Sequence, residues 1–178
     1  MDIRAQRSIR LLKEALFECM KEKPFKDIVV IDVTKKAGLN RSTFYKYYKS
    51  CSDIIRAVER DQLAKIKEIY EREGCTGEDL IREIIMMLDE ERSLFDKENI
   101  GVLADAFHRE LFAITKENYL EKWKKLLPNA TDDEAELAIE SFIAGALHAV
   151  VNEDNRYSIE TRIKVIKDMR EGCLNFYA

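Results

Sequence analysis

Only two prolines and six glycines interrupt this chain of 178 residues, and that scarcity constrains the fold more than any other feature. An all-β domain of this length needs a tight turn after nearly every strand, and such turns draw on proline and glycine. Long helices with short connections need few of either. The apolar share of 46% and the charged share of 36% fit a soluble, helix-rich globular chain rather than a disordered or fibrous one. The length suffices for a core without disulfide or metal support.

Periodicity predicts an all-α fold of about nine helices and no strand. A first helix over 3–23 carries Ile9, Leu12, Leu16 and Met20 as one stripe and stops at Pro24. Segment 28–33 is β-branched and strand-like by propensity, yet Val30, Val33, Lys36 and Ala37 fit a helix ending at Gly38, with Asp27 as its cap. Ser50 and Asp53 open a long helix to about Glu73, and Thr76 caps another over 78–92. A break falls at 99–101, before a stretch from Val102 to Leu127 that admits an interruption. Thr131 and Glu134 form a capping box for a helix to about Asn152, a turn follows at 153–155, and Ser158 opens the last helix.

The net charge of −4 hides an asymmetry. Residues 1–50 hold twelve Lys and Arg against six Asp and Glu, and residues 51–178 hold eighteen against twenty-eight. A basic head on an acidic body is expected when one end meets a polyanion, because Lys and Arg near phosphates release condensed counterions. Scattered solvated charge is the alternative. Cys19, Cys51, Cys75 and Cys173 form no C-x-x-C pair, which leaves free thiols in a reducing compartment. With no apolar leader and no run of about 18 apolar residues, the expectation is a cytoplasmic protein, nucleoid-associated when on DNA, and no membrane partner.

The segment Ala37-Gly38-Leu39-Asn40-Arg41-Ser42-Thr43-Phe44-Tyr45 reads as a helix-turn-helix. Ala37 permits a close crossing, Gly38 takes the positive φ of the turn, Leu39 plugs the hinge, and Asn40 caps the second helix. Phe44 and Tyr48 face the core, while Arg41, Ser42, Thr43, Tyr45, Lys46, Tyr47 and Lys49 stand toward DNA. An ordinary turn between two helices with a polar face is the competing interpretation.

Together with Pro24-Phe25, Val33-Thr34 and Tyr47-Tyr48-Lys49-Ser50, this segment resembles the N-terminal domain of TetR/AcrR-type regulators over roughly residues 6–55. The resemblance implies a DNA-binding domain at 1–50 and a helical ligand-binding and dimerisation domain at 51–178. It implies phosphate anchoring by Thr43, Tyr45, Tyr47 and Lys49, and base or mixed contacts by Arg41, Ser42 and Lys46; for Arg41, a bidentate guanine contact and a plain phosphate contact both stand. The sequence departs from the family pattern at Val29, where a capping Thr or Ser is usual, at Ser42 in place of a glycine, and at Cys51 in place of a lysine.

The same resemblance implies a homodimer that binds a pseudo-palindromic operator in double-stranded DNA, as a repressor released by a small-molecule effector. The other function class is a helical dimer that binds a small molecule or protein and has lost operator binding. Helix 138–151 is apolar or small on more than one face and is matched by the last helix, which suggests a two-fold interface through Phe142, Gly145, Ala146, Ala149, Ile163 and Ile166, or else an internal core helix. Candidate pocket residues are Met86, Met87, Phe95, Phe107, His108, Phe112 and Trp123, many of which a plain core would also use. No nucleophile elbow, phosphate loop or metal-spaced histidine pair occurs, and Asp89-Glu90-Glu91 fits a solvated face, so neither catalysis, a metal nor a cofactor is expected.

Overall fold

A computed structural model of the chain describes residues 3–72, 77–90, 102–151 and 156–176. Among them are eight α-helices and no strand: α1 (Ile3–Met20), α2 (Val30–Ala37), α3 (Arg41–Tyr47), α4 (Cys51–Glu71), α5 (Gly77–Glu90), α6 (Val102–Lys124), α7 (Asp132–Val151) and α8 (Ile159–Phe176). The described residues gather into two compact units, a head of 3–64 with 102–106 and a body made of the rest. Helix α4 begins in the head and ends in the body. The expected Thr76 cap, the break at 99–101 and the turn at 153–155 lie outside the described residues.

In the head, α1 packs on α2 and α3. Leu12, Leu16 and Met20 are buried as one stripe, with Ile9 half-buried beside them. The helix stops at Met20 rather than at Lys23. A residue before proline avoids helical backbone, and the N–H groups of Glu22 and Lys23 both turn back to the Cys19 carbonyl, at 3.0 and 3.1 Å. Ile28 and Val29 keep extended backbone, so α2 starts only at Val30, after a short 3-10 turn over Phe25–Asp27. Its cap is not Asp27. The Asp32 carboxylate accepts the Val29 N–H at 2.9 Å and a Lys23 bond at 2.7 Å, because the third helical position reaches back over the first turn.

In the body, α7 and α8 pack on each other and on α5. The core gathers Trp123, Leu127, Ala135, Ile139 and Ile143, with Phe112 and Phe142 against it. Helix α6 runs unbroken for 23 residues. Thr131 and Glu134 make the reciprocal capping box that opens α7: Glu134 N–H donates to Thr131 Oγ1 at 3.3 Å, and Thr131 N–H to the Glu134 carboxylate at 2.8 Å. Ser158 Oγ accepts the Thr161 N–H at 3.2 Å and opens α8 in the same way.

One polar cluster ties three helices. Arg162 on α8, 2% exposed, donates to the Ala149 and Val150 carbonyls at the end of α7 and pairs with Asp89 of α5 at 2.7 Å. Asp89 is therefore not part of a merely solvated acidic face. Buried as it is, the guanidinium needs a counter-charge, and Asp89 supplies it. No described helix is long and apolar enough to cross a membrane.

Candidate nucleic-acid interface and interior cavity

The turn between α2 and α3 is set by Gly38, whose φ of +64° is left-handed. The chain reverses there with Gly38 N–H on the Lys35 carbonyl at 3.2 Å and Leu39 N–H on the Thr34 carbonyl at 3.0 Å. This closes α2 and aims α3. Leu39 is half-buried in the hinge. Asn40 stands at the start of α3 with extended backbone, but its side chain makes no capping bond to the helix, so it positions the chain without capping it.

Phe44 is fully buried and Tyr48 nearly so, their ring centroids 6.1 Å apart. That anchor fixes the rotation of α3. Arg41, Ser42, Tyr45, Lys46 and Lys49 are consequently exposed, with Tyr45 at 58%, while Thr43 and Tyr47 are half-buried. Arg41, Tyr45 and Lys49 share a shallow cleft with Lys26, Ser50 and Ser52. Lys46 lies over the Tyr47 ring at 5.5 Å. Cys51 lies at the floor of this cleft but is buried, and burial pushes its thiol up to about 11, so it stays protonated and brings no charge to the surface.

Charge pairing separates two sets of cations in the head. Lys13, Lys21, Lys23 and Lys36 each sit 2.5–2.7 Å from a carboxylate, of Asp61, Glu18, Asp32 and Glu22 respectively. Lys26, Arg41, Lys46 and Lys49 have no ion pair among the described residues. The cations around α3 are thus left for an outside anion. Lys26 was not singled out from the sequence, although its place just after Pro24 and before α2 put it near the turn.

The body encloses a cavity of about 570 Å³ between α4, α5, α6, α7 and α8. On α6 its wall is the stripe Leu111, Thr115, Asn118, Tyr119, Lys122 and Trp123, continued by Leu126 in the turn that follows; Tyr70 closes it from the last turn of α4. Tyr70 and Thr115 hydroxyls are 3.0 Å apart, and Thr115 donates its proton to the Leu111 carbonyl at 2.8 Å. Tyr70 is therefore the donor to Thr115. Burial holds its phenol up at about 12, so it remains neutral.

Of the described residues among those expected around a pocket, Trp123 alone stands on this wall. Met86 is half-exposed, because Leu80, Ile84 and Leu88 take the inward face of α5, and Met87 is off the wall as well. Phe107 and His108, 6.1 Å apart, lie one turn before the wall begins at Leu111, and Phe112 packs into the Trp123 core. Phe95 falls outside the described residues. The usable signal was Thr115, Asn118 and Lys122 recurring at helical spacing among Leu111, Tyr119 and Trp123 on one face of α6, rather than the bulky apolar residues alone.

The residues expected at a two-fold interface mostly turn inward. Ile163, Ile166 and Ala146 are buried in their own unit, Phe142 lies against Trp123 at 4.4 Å between centroids, and Gly145 faces Met169 of the neighbouring helix. Ala149 is half-buried. Those positions pack α7 on α6 and α8 within one chain. The outward faces carry Leu137, Ala144 and His148 on α7, and Val165, Gly172 and Phe176 on α8.

No protein-family model matches the sequence, and no curated protein is similar to it. Among solved structures, the crystal structure of a protein from Syntrophomonas wolfei, provisionally assigned to the TetR family of transcriptional regulators, superposes with a TM-score of 0.70. The match covers 95% of this chain and 96% of the other at 16% sequence identity. Such identity speaks for architecture, and it extends over body as well as head: the chain has the fold of a TetR-type transcriptional regulator.

Proposed function

We propose that the chain is a sequence-specific, DNA-binding transcription regulator of the TetR type, a homodimer whose hold on a pseudo-palindromic operator is released by a small molecule in the body. The observation that carries this reading is the set of unpaired cations and exposed tyrosine on α3, held in register by a buried Phe44. Four lysines elsewhere in the head are neutralised by carboxylates, whereas the cations of this cluster converge unpaired beside an exposed tyrosine. Phosphates neutralise these instead, and Arg41 and Lys46 reach base edges.

Two recognition helices then enter successive major grooves about 34–36 Å apart. Pairing runs through the outward faces of α7 and α8, where Leu137, Ser141, Ala144 and His148 recur at helical spacing opposite Val165, Asp168, Gly172 and Phe176. A ligand in the cavity favours the conformer whose head spacing misses the operator. Helix α4 links the two events, since it starts beside the cleft at Cys51 and ends on the cavity wall at Tyr70.

Selection from random DNA is expected to return a two-fold-symmetric site whose affinity falls steeply with salt. On that site Arg41→Ala costs about tenfold to a hundredfold in affinity, and Tyr45→Phe weakens binding less, with the oligomeric state unchanged. Selection that returns no consensus, or variants that bind as well as the parent, sinks the reading. Leu137→Glu with Val165→Glu is expected to give a monomer by sedimentation that no longer binds the full site.

A further inference from the structure

Four cations stand on the wall of the body cavity, Arg72, Lys122, Lys167 and Arg170, against a single carboxylate, Glu78. Two of the four are already satisfied. Arg72 holds Glu83 through two bonds of 2.8 and 3.1 Å, and Lys167 holds Glu78 at 2.8 Å. Lys122 and Arg170 have no ion pair among the described residues, and both are exposed to solvent at the rim. This local excess of positive charge sits on a part of the chain that is otherwise strongly acidic, residues 51–178 holding twenty-eight Asp and Glu against eighteen Lys and Arg.

We propose that the cavity takes an amphipathic organic anion, with its apolar body inside and its anionic head at the rim between Lys122 and Arg170. The assignment rests on the regulator reading for its role as effector site. The interior disfavours the reverse orientation. Its walls are mainly aliphatic and aromatic, and its hydroxyl pair is spent, because Thr115 donates to Leu111 and Tyr70 donates to Thr115, while the Asn118 amide gives one proton to the Ile114 carbonyl and keeps a single neutral N–H, against two cations at the rim. Tyr70 has its proton committed to Thr115 and offers only lone pairs, and a carboxylate cannot be held by an acceptor. Placing a charge there unpaired would cost far more than placing it at the wet, cationic rim. The volume of about 570 Å³ falls within the range of ligand sites for small organic molecules.

Trp123, the one tryptophan of the chain, lines the cavity and reports its occupancy by fluorescence. Decanoate, 1-decanol and decylamine share an apolar body and differ in the charge of the head, and 1-naphthoate supplies an anion with an aromatic body. At pH 7.5 and low salt, one or both anions should quench Trp123 saturably, with decanoate binding about tenfold tighter than the alcohol. The amine, which the acidic body attracts from a distance, should bind no better than the alcohol. In the Lys122→Gln/Arg170→Gln variant, checked for intact helix content, the anion and the alcohol should bind alike.

A silent response to both anions overturns the proposal, as does a preference for alcohol or amine, or an anion preference that survives the double substitution. DNA binding followed in parallel separates the two readings. Tight anion binding by a protein that ignores DNA upholds this ligand class and sinks the regulator, whereas DNA released by decanol but not by decanoate sinks the ligand class and upholds the regulator.

Discussion

The head and the body place their polar side chains in opposite directions. In the head, Phe44 and Tyr48 are pulled into the core and the polar residues of α3 are pushed out, where unpaired cations await a partner. In the body, Tyr70, Thr115 and Asn118 point into a cavity, and Arg162 is buried with its own counter-ion. The contrast teaches where each kind of function resides. The exposed surface of α3 is built from residues within one short segment, so the turn at Gly38 and one buried ring orient all of it. An interior site is assembled from five helices, and no segment contains it.

The two units also differ in how they treat a buried ionisable group, and this difference can be broken experimentally. Arg162 in the body has Asp89, at 2.7 Å. Asp89→Ala leaves a guanidinium buried with only carbonyls to hold it, and should lower the unfolding free energy by about 3–5 kcal/mol, measured by urea denaturation. Adding Arg162→Met to Asp89→Ala should recover part of that loss, since the uncompensated charge disappears while the bonds to Ala149 and Val150 do not return. A single substitution costing under about 1 kcal/mol would show the pair to be ornamental.

Glu59 in the head has no such partner. It is 7% exposed, its Oε1 accepts no hydrogen bond, and burial pushes its carboxyl from an ordinary 4.5 up to about 7, against a smaller opposing pull from Arg56. Because the folded chain holds this proton more tightly than the unfolded chain, the group favours folding below about pH 4.5, and that contribution is lost as pH rises through about 7. Glu59→Gln keeps the shape and abolishes the titration. The variant should match the parent near pH 4.5 and exceed its stability by on the order of 2–3 kcal/mol at pH 8. Equal stability of the two at pH 8 would mean that the carboxylate is solvated after all.

These buried charges also mark what could and could not be seen in the sequence. The helix count, the turn at Gly38, the inward Phe44 and Tyr48 and the capping box of Thr131 with Glu134 were all legible, because each depends on residues within a few positions of one another. The pairing of Asp89 with Arg162 spans 73 positions and was invisible. Ile163 and Ile166 were recognised as apolar stripe residues, yet periodicity tells which residues share a face and not what that face is pressed against. The Asp32 cap was missed for a smaller reason: with valine at the cap position, only the returning half of the box remains, and Asp27 was the nearer carboxylate.

The smallest effects come from two glycines, one in each unit, and they should differ in sign. Neither position is crowded, since a Cβ at Gly38 or at Gly77 would meet no heavy atom within 4 Å. Space therefore decides nothing, and the backbone decides everything. Gly38 has φ +64°, where a Cβ strains against the following carbonyl, so Gly38→Ala should destabilise the head by about 1–2 kcal/mol. Gly77 opens α5 without a left-handed φ, and alanine there restricts the unfolded chain while fitting the helix, so Gly77→Ala should stabilise the protein by about 0.4–1 kcal/mol. Paired melting curves test this directly. If Gly38→Ala is silent, the turn is not rigid and α3 is not aimed by it; the loss of DNA affinity expected from Gly38→Ala, beyond its loss of stability, would vanish as well.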